Sequence, residues 1–232
     1  VLNASLTSEG AQFELGAEKS IAITNDAVLS NNGGQVRIAA PEIELTGVIA
    51  SSGGIVELDS GDNGVTIVEG WIDVSLPAIG EQGGVVHVLG GSVAVIAGAH
   101  IDASGSGGGG TVLIGGALQG ADPLIRNAQQ TVIEANSVIR ANAIRTGRGG
   151  NIIVWADDTT RVDGKIYACG GSVSGAGGFV ETSGLHNFDF GGLVLASAMN
   201  GNPGTWLIDP TDITLDGGPT TAGIEQAVDT PS

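Results

Sequence analysis

Short runs of alternating apolar and polar residues recur along this chain, and a pair of glycines opens most of them. Val36 and Ile38 follow Gly34, Val56 and Leu58 follow Gly54, Val86 and Val88 follow Gly84, Val112 and Ile114 follow Gly110, and Ile152 and Val154 follow Gly150. A period of two predicts a strand with one buried face. The series continues at Gly178 and, with Pro203 in the first place of the pair, at Gly204, so successive intervals are 20, 30, 26, 40, 28 and 26 residues. Spacings of roughly 20 to 50 residues mark units that stack on one another.

A second column of strands lies upstream of each pair. It reads VLSN from Val28, VIAS from Val48, IDVS from Ile72, IDAS from Ile101, IRAN from Ile139, IYAC from Ile166 and VLAS from Val194, with a large apolar residue first and usually a small one third. A third column precedes most of these, in IAIT from Ile21, IEL from Ile43, VTIV from Val65, VAVI from Val93 and TVIE from Thr131. Three short strands per turn predict an all-β parallel β-helix of about eight to nine turns, a rod of about 40 Å at about 4.8 Å per turn. Its crowded corners call for small residues that tolerate unusual φ/ψ, which accounts for 41 glycines. Stacked Val, Ile and Leu fill a narrow interior, in keeping with an aromatic content of 3%.

The 232 residues, 41% of them apolar, suit a single β-helix segment over 1–232. No run approaches the roughly 18 consecutive apolar residues of a membrane helix. A net charge of −17 with eight Lys and Arg repels phosphate backbones and anionic lipid, so neither nucleic-acid binding nor membrane insertion is expected. The one cysteine, Cys169, excludes an internal disulfide. Its place in the motif corresponds to Ser51, Ser75, Ser104 and Ser197, which reads as a stacked small residue. The chain opens on Val1 without a signal-peptide pattern, and 217–232 read as the truncated start of a following element, so a segment of a longer or processed protein is expected. Further turns or a neighbouring copy would then cover the open ends of the ladder.

Outward positions of the glycine-led strands read Arg37, Glu57, His87, Leu113, Ile153 and Glu181 down the stack, placing two apolar residues where water should be. Between those two turns lies the longest interval, with an extra-helical excursion near 115–130 that contains Pro123 and no alternation. The excursion is expected to fold over Leu113, Ile153 and Trp155. The competing expectation is that the outward Leu and Ile are ordinary scattered surface residues.

NAQQT at Asn127–Thr131, GRGGNIIVWADDTTR at Gly147–Arg161, GGFVETSG at Gly177–Gly184 and GTWLIDPTDIT at Gly204–Thr214 closely resemble phrases of the filamentous-haemagglutinin-like proteins, the two-partner-secretion exoproteins or TpsA-type adhesins of Gram-negative bacteria. The phrases carry the resemblance over residues 100–216, and the repeat pattern alone carries it over the earlier turns. It implies a right-handed parallel β-helix, export through a dedicated outer-membrane transporter, and a secreted protein or one attached to the outer surface of a Gram-negative-type cell. Adhesion, biofilm, contact-dependent competition and haem-carrier capture are the implied roles. On this reading the chain is a rigid stalk segment of an adhesin whose receptor the sequence does not name. A filament subunit that self-associates end to end and a module binding a glycan or carrier protein are the alternatives. The family's transporter-recognition segment carries an NPNGI-type phrase that is missing here, which puts this piece downstream of that segment or over part of it. WADD and FVETSG read as architectural, with Glu181 and Ser183 pointing outward on a strand and Asp209-Pro210 ending one.

Many parallel β-helices cleave acidic polysaccharides with clustered carboxylates and a basic residue, and Asp157, Asp158 and Arg161 lie close enough in sequence to raise that chemistry. Asp157 and Asp158 are more simply a corner satisfying backbone donors. So few basic residues line an anionic-sugar groove poorly, and the chain is expected not to be an enzyme. His87, His100 and His186 fall in different turns and strand positions, which implies no shared metal geometry. Asp59, Asp62 and Asn63 could hold calcium but lack the regular nonapeptide of calcium-loaded β-rolls. Trp206 falls in the inward register, whereas Trp71 and Trp155 are expected to face outward, against the excursion or a carbohydrate. No catalytic, cofactor-binding or metal-binding residue is assigned, and no cofactor is expected.

Overall fold

A computed structural model of the chain describes residues 1–2 and 4–211; the following element expected at 217–232 lies outside the described residues. Each sheet strand pairs in parallel with the strands one turn away, and the coil builds three sheets of eight, eight and seven strands. The glycine-led sheet contains Gln12–Gly16, Gln35–Ala39, Ile55–Asp59, Val85–Leu89, Thr111–Ile114, Asn151–Ala156, Phe179–Gly184 and Thr205–Leu207. The second sheet runs from Leu6–Glu9 to Leu193–Leu195 in strands mostly three residues long, and the third from Ser20–Ile23 to Asn187–Phe190. This is the all-β parallel solenoid with three strands per turn that the alternation predicts.

Register converts the alternation into a core. In the glycine-led sheet, Val36, Val56, Val86, Val112, Ile152 and Val180 stand directly over one another, as do Ile38, Leu58, Val88, Ile114 and Val154. All of these are fully buried, and each such side chain contributes about 1.5–3 kcal/mol of transfer free energy. Inward threonines of the third sheet close the polar account at the corner. The hydroxyls of Thr66, Thr131 and Thr160 donate to the carbonyls of Leu89, Trp155 and Ser183 at 2.7, 2.7 and 2.8 Å, satisfying acceptors left where the glycine-led strands end.

Three sequence expectations change. The described strands make about seven complete turns rather than eight to nine, since the third sheet holds seven strands. The two earliest motifs of the second column are shifted by one residue: Leu29 and Ile49, not Val28 and Val48, stand in line with Ile72 and Ile101. Both positions of Val28-Leu29 and Val48-Ile49 are apolar, so alternation gave no phase there, and a slip of one residue exchanges the two faces. Finally, the second glycines of the pairs do not have left-handed φ. A Cβ at Gly54, Gly84, Gly110, Gly150, Gly178 or Gly204 would land within 3.0 Å of the backbone carbonyl oxygen of the matching glycine one turn earlier. Contact between turns, and not conformation, excludes a side chain from this column. A positive φ is needed at the first glycine of only the two earliest pairs, Gly33 and Gly53.

Candidate functional site

The excursion leaves the coil after Thr111–Ile114 and returns at Gln130–Ile133, and on the way it crosses the outer face of the glycine-led sheet. Down that face the outward column runs Glu14, Arg37, Glu57, His87, Leu113, Ile153, Glu181 and Leu207. Its early members are solvated, with Arg37 and Glu57 paired at 3.4 Å. Where the excursion lies over it, Ile153 and Trp155 are buried and Glu181 falls to 0% exposure. The expectation that the excursion covers Leu113, Ile153 and Trp155 matches what the structure shows, Leu113 being half-buried.

The strap is hooked at both ends. On one side Arg126 donates from Nε to Asp59 Oδ1 at 2.9 Å and also pairs with Asp62, reaching two strands back along the sheet. On the other, a single 3₁₀ turn, Leu118–Gly120, lifts Gln119 to φ +53°, so that its N–H meets Glu181 Oε2 at 3.0 Å. The Gln119 side-chain amide pairs with Asp209, just beyond the last strand. Between the hooks, Asn127 Nδ2 donates to Gly120 O at 2.9 Å, and Trp155 packs beneath Gly116 and Gly120 with its Nε1 on Asp157 Oδ1 at 2.9 Å. Ser183 Oγ accepts the Asp209 N–H at 2.9 Å. Glu181 and Ser183 therefore lie on the outward register, as expected, but are buried beneath the strap instead of facing water. Neither their side chains nor Gln119 carried a sequence signal, since a contact made 62 residues away leaves no trace in a period-two pattern.

Glu181 is the unusual group here. Its Oε1 and the Oδ1 of Asn127 are buried without hydrogen-bond partners. Burial pushes the Glu181 carboxyl above its usual 4.5, against the opposing hydrogen bonds of the Gln119 N–H and the Ser183 hydroxyl, and Asp209 raises it further.

The remaining candidates disperse. Arg161 turns to Asp163 at 2.8 Å and Asp189 at 3.8 Å, while Asp157 and Asp158 form the corner, their N–H groups donating to the carbonyls of Ala128 and Gln129. Asp59 and Asp62, the calcium candidates, are occupied by the chain's own Arg126. His87 lies on the glycine-led sheet, His100 packs against exposed Trp71 on the second sheet with ring centroids 4.8 Å apart and planes tilted by 39°, and His186 sits in a corner with Nδ1 at Asp157 O. Among the described residues, no group of three or more His, Cys, Asp and Glu is arranged to hold a metal ion. Trp206 sits over Val180 in the inward register against Phe190, and Cys169 stands between Asn142 and Ser197. Among the described residues, no helix is long and apolar enough to cross a membrane.

No family model matches this chain, and no curated protein is similar to it. Among solved structures, the HMW1 secretion domain from Haemophilus influenzae is similar, with a TM-score of 0.66 and 24% identity. The match covers 88% of this chain and 64% of that one, so the chain spans less than two thirds of the neighbour's length. What this likeness carries is the fold: the chain has the β-solenoid architecture of a protein described as a secretion domain.

Proposed function

We propose that this chain is an export-directing β-solenoid segment of a secreted, filamentous-haemagglutinin-like adhesin, recognised by an outer-membrane two-partner-secretion transporter and displayed as a rigid rod on the outer face of a Gram-negative-type cell. The observation that supports it best is the likeness to the HMW1 secretion domain over 88% of the chain. It favours the transporter-facing segment itself over a distal stalk. The strap adds support, because all four resembling phrases contribute to it: Asn127, Trp155 with Asp157, Glu181 with Ser183, and Asp209, which holds its far hook. The role is structural and not catalytic. Its carboxylates at the strap accept from backbone N–H groups, the Trp155 indole, the Gln119 side-chain amide or the chain's own arginine, and eight Lys and Arg leave little to line a groove for acidic sugars.

The test fuses the chain upstream of a reporter in a Gram-negative host, behind a signal peptide, with and without its partner outer-membrane transporter. Reporter in the medium only when the transporter is present is the expected result. Periplasmic retention in both strains would refute the proposal.

A further inference from the structure

The strap holds a carboxylate in a place where ionisation is costly. Glu181 is 0% exposed, its Oε1 has no partner, and among the described residues no Lys or Arg forms an ion pair with it. The strands beside it present Ile153 and Leu207, and its own strand presents Ser183. The segment after the last strand contributes the like-charged Asp209, and Asp157 on the neighbouring corner is engaged by Trp155. The excursion carries Asp122 and Arg126, but Arg126 is committed to Asp59 and Asp62 at the opposite hook. His87 lies three strands away along the sheet. A buried carboxylate with one oxygen unsatisfied and no ion-pair partner is stabilised by taking up a proton or by letting water in.

We infer that Glu181 makes the strap a proton-coupled latch: the Gln119 hook is closed while the carboxyl is neutral and opens when it ionises, baring Ile153 and Trp155. The direction follows from linkage. A carboxyl that binds its proton more tightly in the closed state than in the open one adds stability to the closed state that is fully present below about pH 4.5, and that stability is lost as pH rises through the closed-state value. Acid therefore tightens this hook, opposite to the usual acid weakening of carboxylate contacts. Asp209 strengthens the effect, because its negative charge favours the neutral form of Glu181. The Arg126 hook pairs its carboxylates with a cation, so rising pH does not loosen it, and opening with rising pH is confined to the Gln119 end.

Hydrogen exchange of the Gln119 amide, corrected for intrinsic rate and followed from about pH 4 to about pH 8, reads the latch directly. The expected result is protection that falls by up to about tenfold per pH unit as pH rises above about 4.5 and levels off once the closed-state carboxyl has ionised, while the amide of Gln129, bonded to Gly91 O, keeps its protection. Glu181→Gln, which mimics the neutral form, abolishes the pH dependence. Asp209→Asn moves the transition to lower pH, and that variant decides the matter alone should Glu181→Gln fail to fold. Protection in the native chain that is flat with pH, or that falls equally in Glu181→Gln, overturns the inference, as does an unmoved transition in Asp209→Asn.

Discussion

Replacing Gly110 by alanine isolates the contact between turns that the fold makes its first requirement. The added Cβ would land on Gly84 O and would lie 2.7 Å from both C and O of Gly83, all of them backbone atoms that no rotamer change can move. Gly84 O is also the acceptor for the Thr111 N–H at 3.0 Å. Relief requires the turns to part, with loss of that hydrogen bond at about 1 kcal/mol and overpacking strain of about 1–3 kcal/mol. Reduced freedom of the unfolded chain offsets about 0.4–1 kcal/mol. The net expectation is destabilisation by about 2 kcal/mol. Gly16→Ala is the control, because its Cβ meets only Ala39 O at 4.0 Å and its φ is not left-handed; it should be neutral or slightly stabilising. Urea unfolding followed by far-ultraviolet circular dichroism compares the midpoints at a common slope. Equal midpoints for the two variants would refute the reasoning, since both remove a glycine and only one meets a neighbouring turn.

Other expectations follow from the strap and the sheet surface. Trp155→Ala removes a buried ring from beneath the strap and should cost about 3–5 kcal/mol, with new protease cleavage between 117 and 124 read by mass spectrometry. Arg126→Ala breaks a half-exposed pair worth about 1 kcal/mol or less; it should raise proteolysis of the strap while barely moving the thermal midpoint. The His87 imidazole is held below its ordinary 6.5 by burial, against the raising influence of Glu57. Its contribution to stability is present above about pH 6.5 and is lost as pH falls through the depressed value. Thermal melts over that range should show this loss in the native chain and a flatter profile in His87→Asn.

Glycine spacing and alternation were enough to predict strand type, parallel stacking and the core, because a solenoid repeats the same local instruction in every turn. The phase was legible where one apolar residue stood between polar neighbours, as at Ile101 between His100 and Asp102, and it failed at Val28-Leu29, where both faces accept an aliphatic residue. The covered face was partly legible: outward Leu113 and Ile153 called for a cover, and the longest interval supplied one. Its hooks were not. Gln119, Glu181 and Asp209 meet only after several strands are in place, and the polar character that marks each as a surface residue conceals its burial. Likewise, nothing in the sequence around Asp59 and Asp62 foretold that Arg126, 67 residues from Asp59, would supply a positive charge there.

A plain solenoid pulled from one end would peel strand by strand, each step releasing one turn at nearly constant load. Here the strap ties the neighbourhood of Ile55–Asp59 to the segment beyond Thr205–Leu207, spanning six strands of one sheet. Peeling that reaches Thr205–Leu207 therefore meets a cross-brace, and the turns between the hooks bear tension together. The rod gains a shear-loaded section within a structure otherwise loaded as a zipper, so its resistance to extension is concentrated in the six strands that the strap spans.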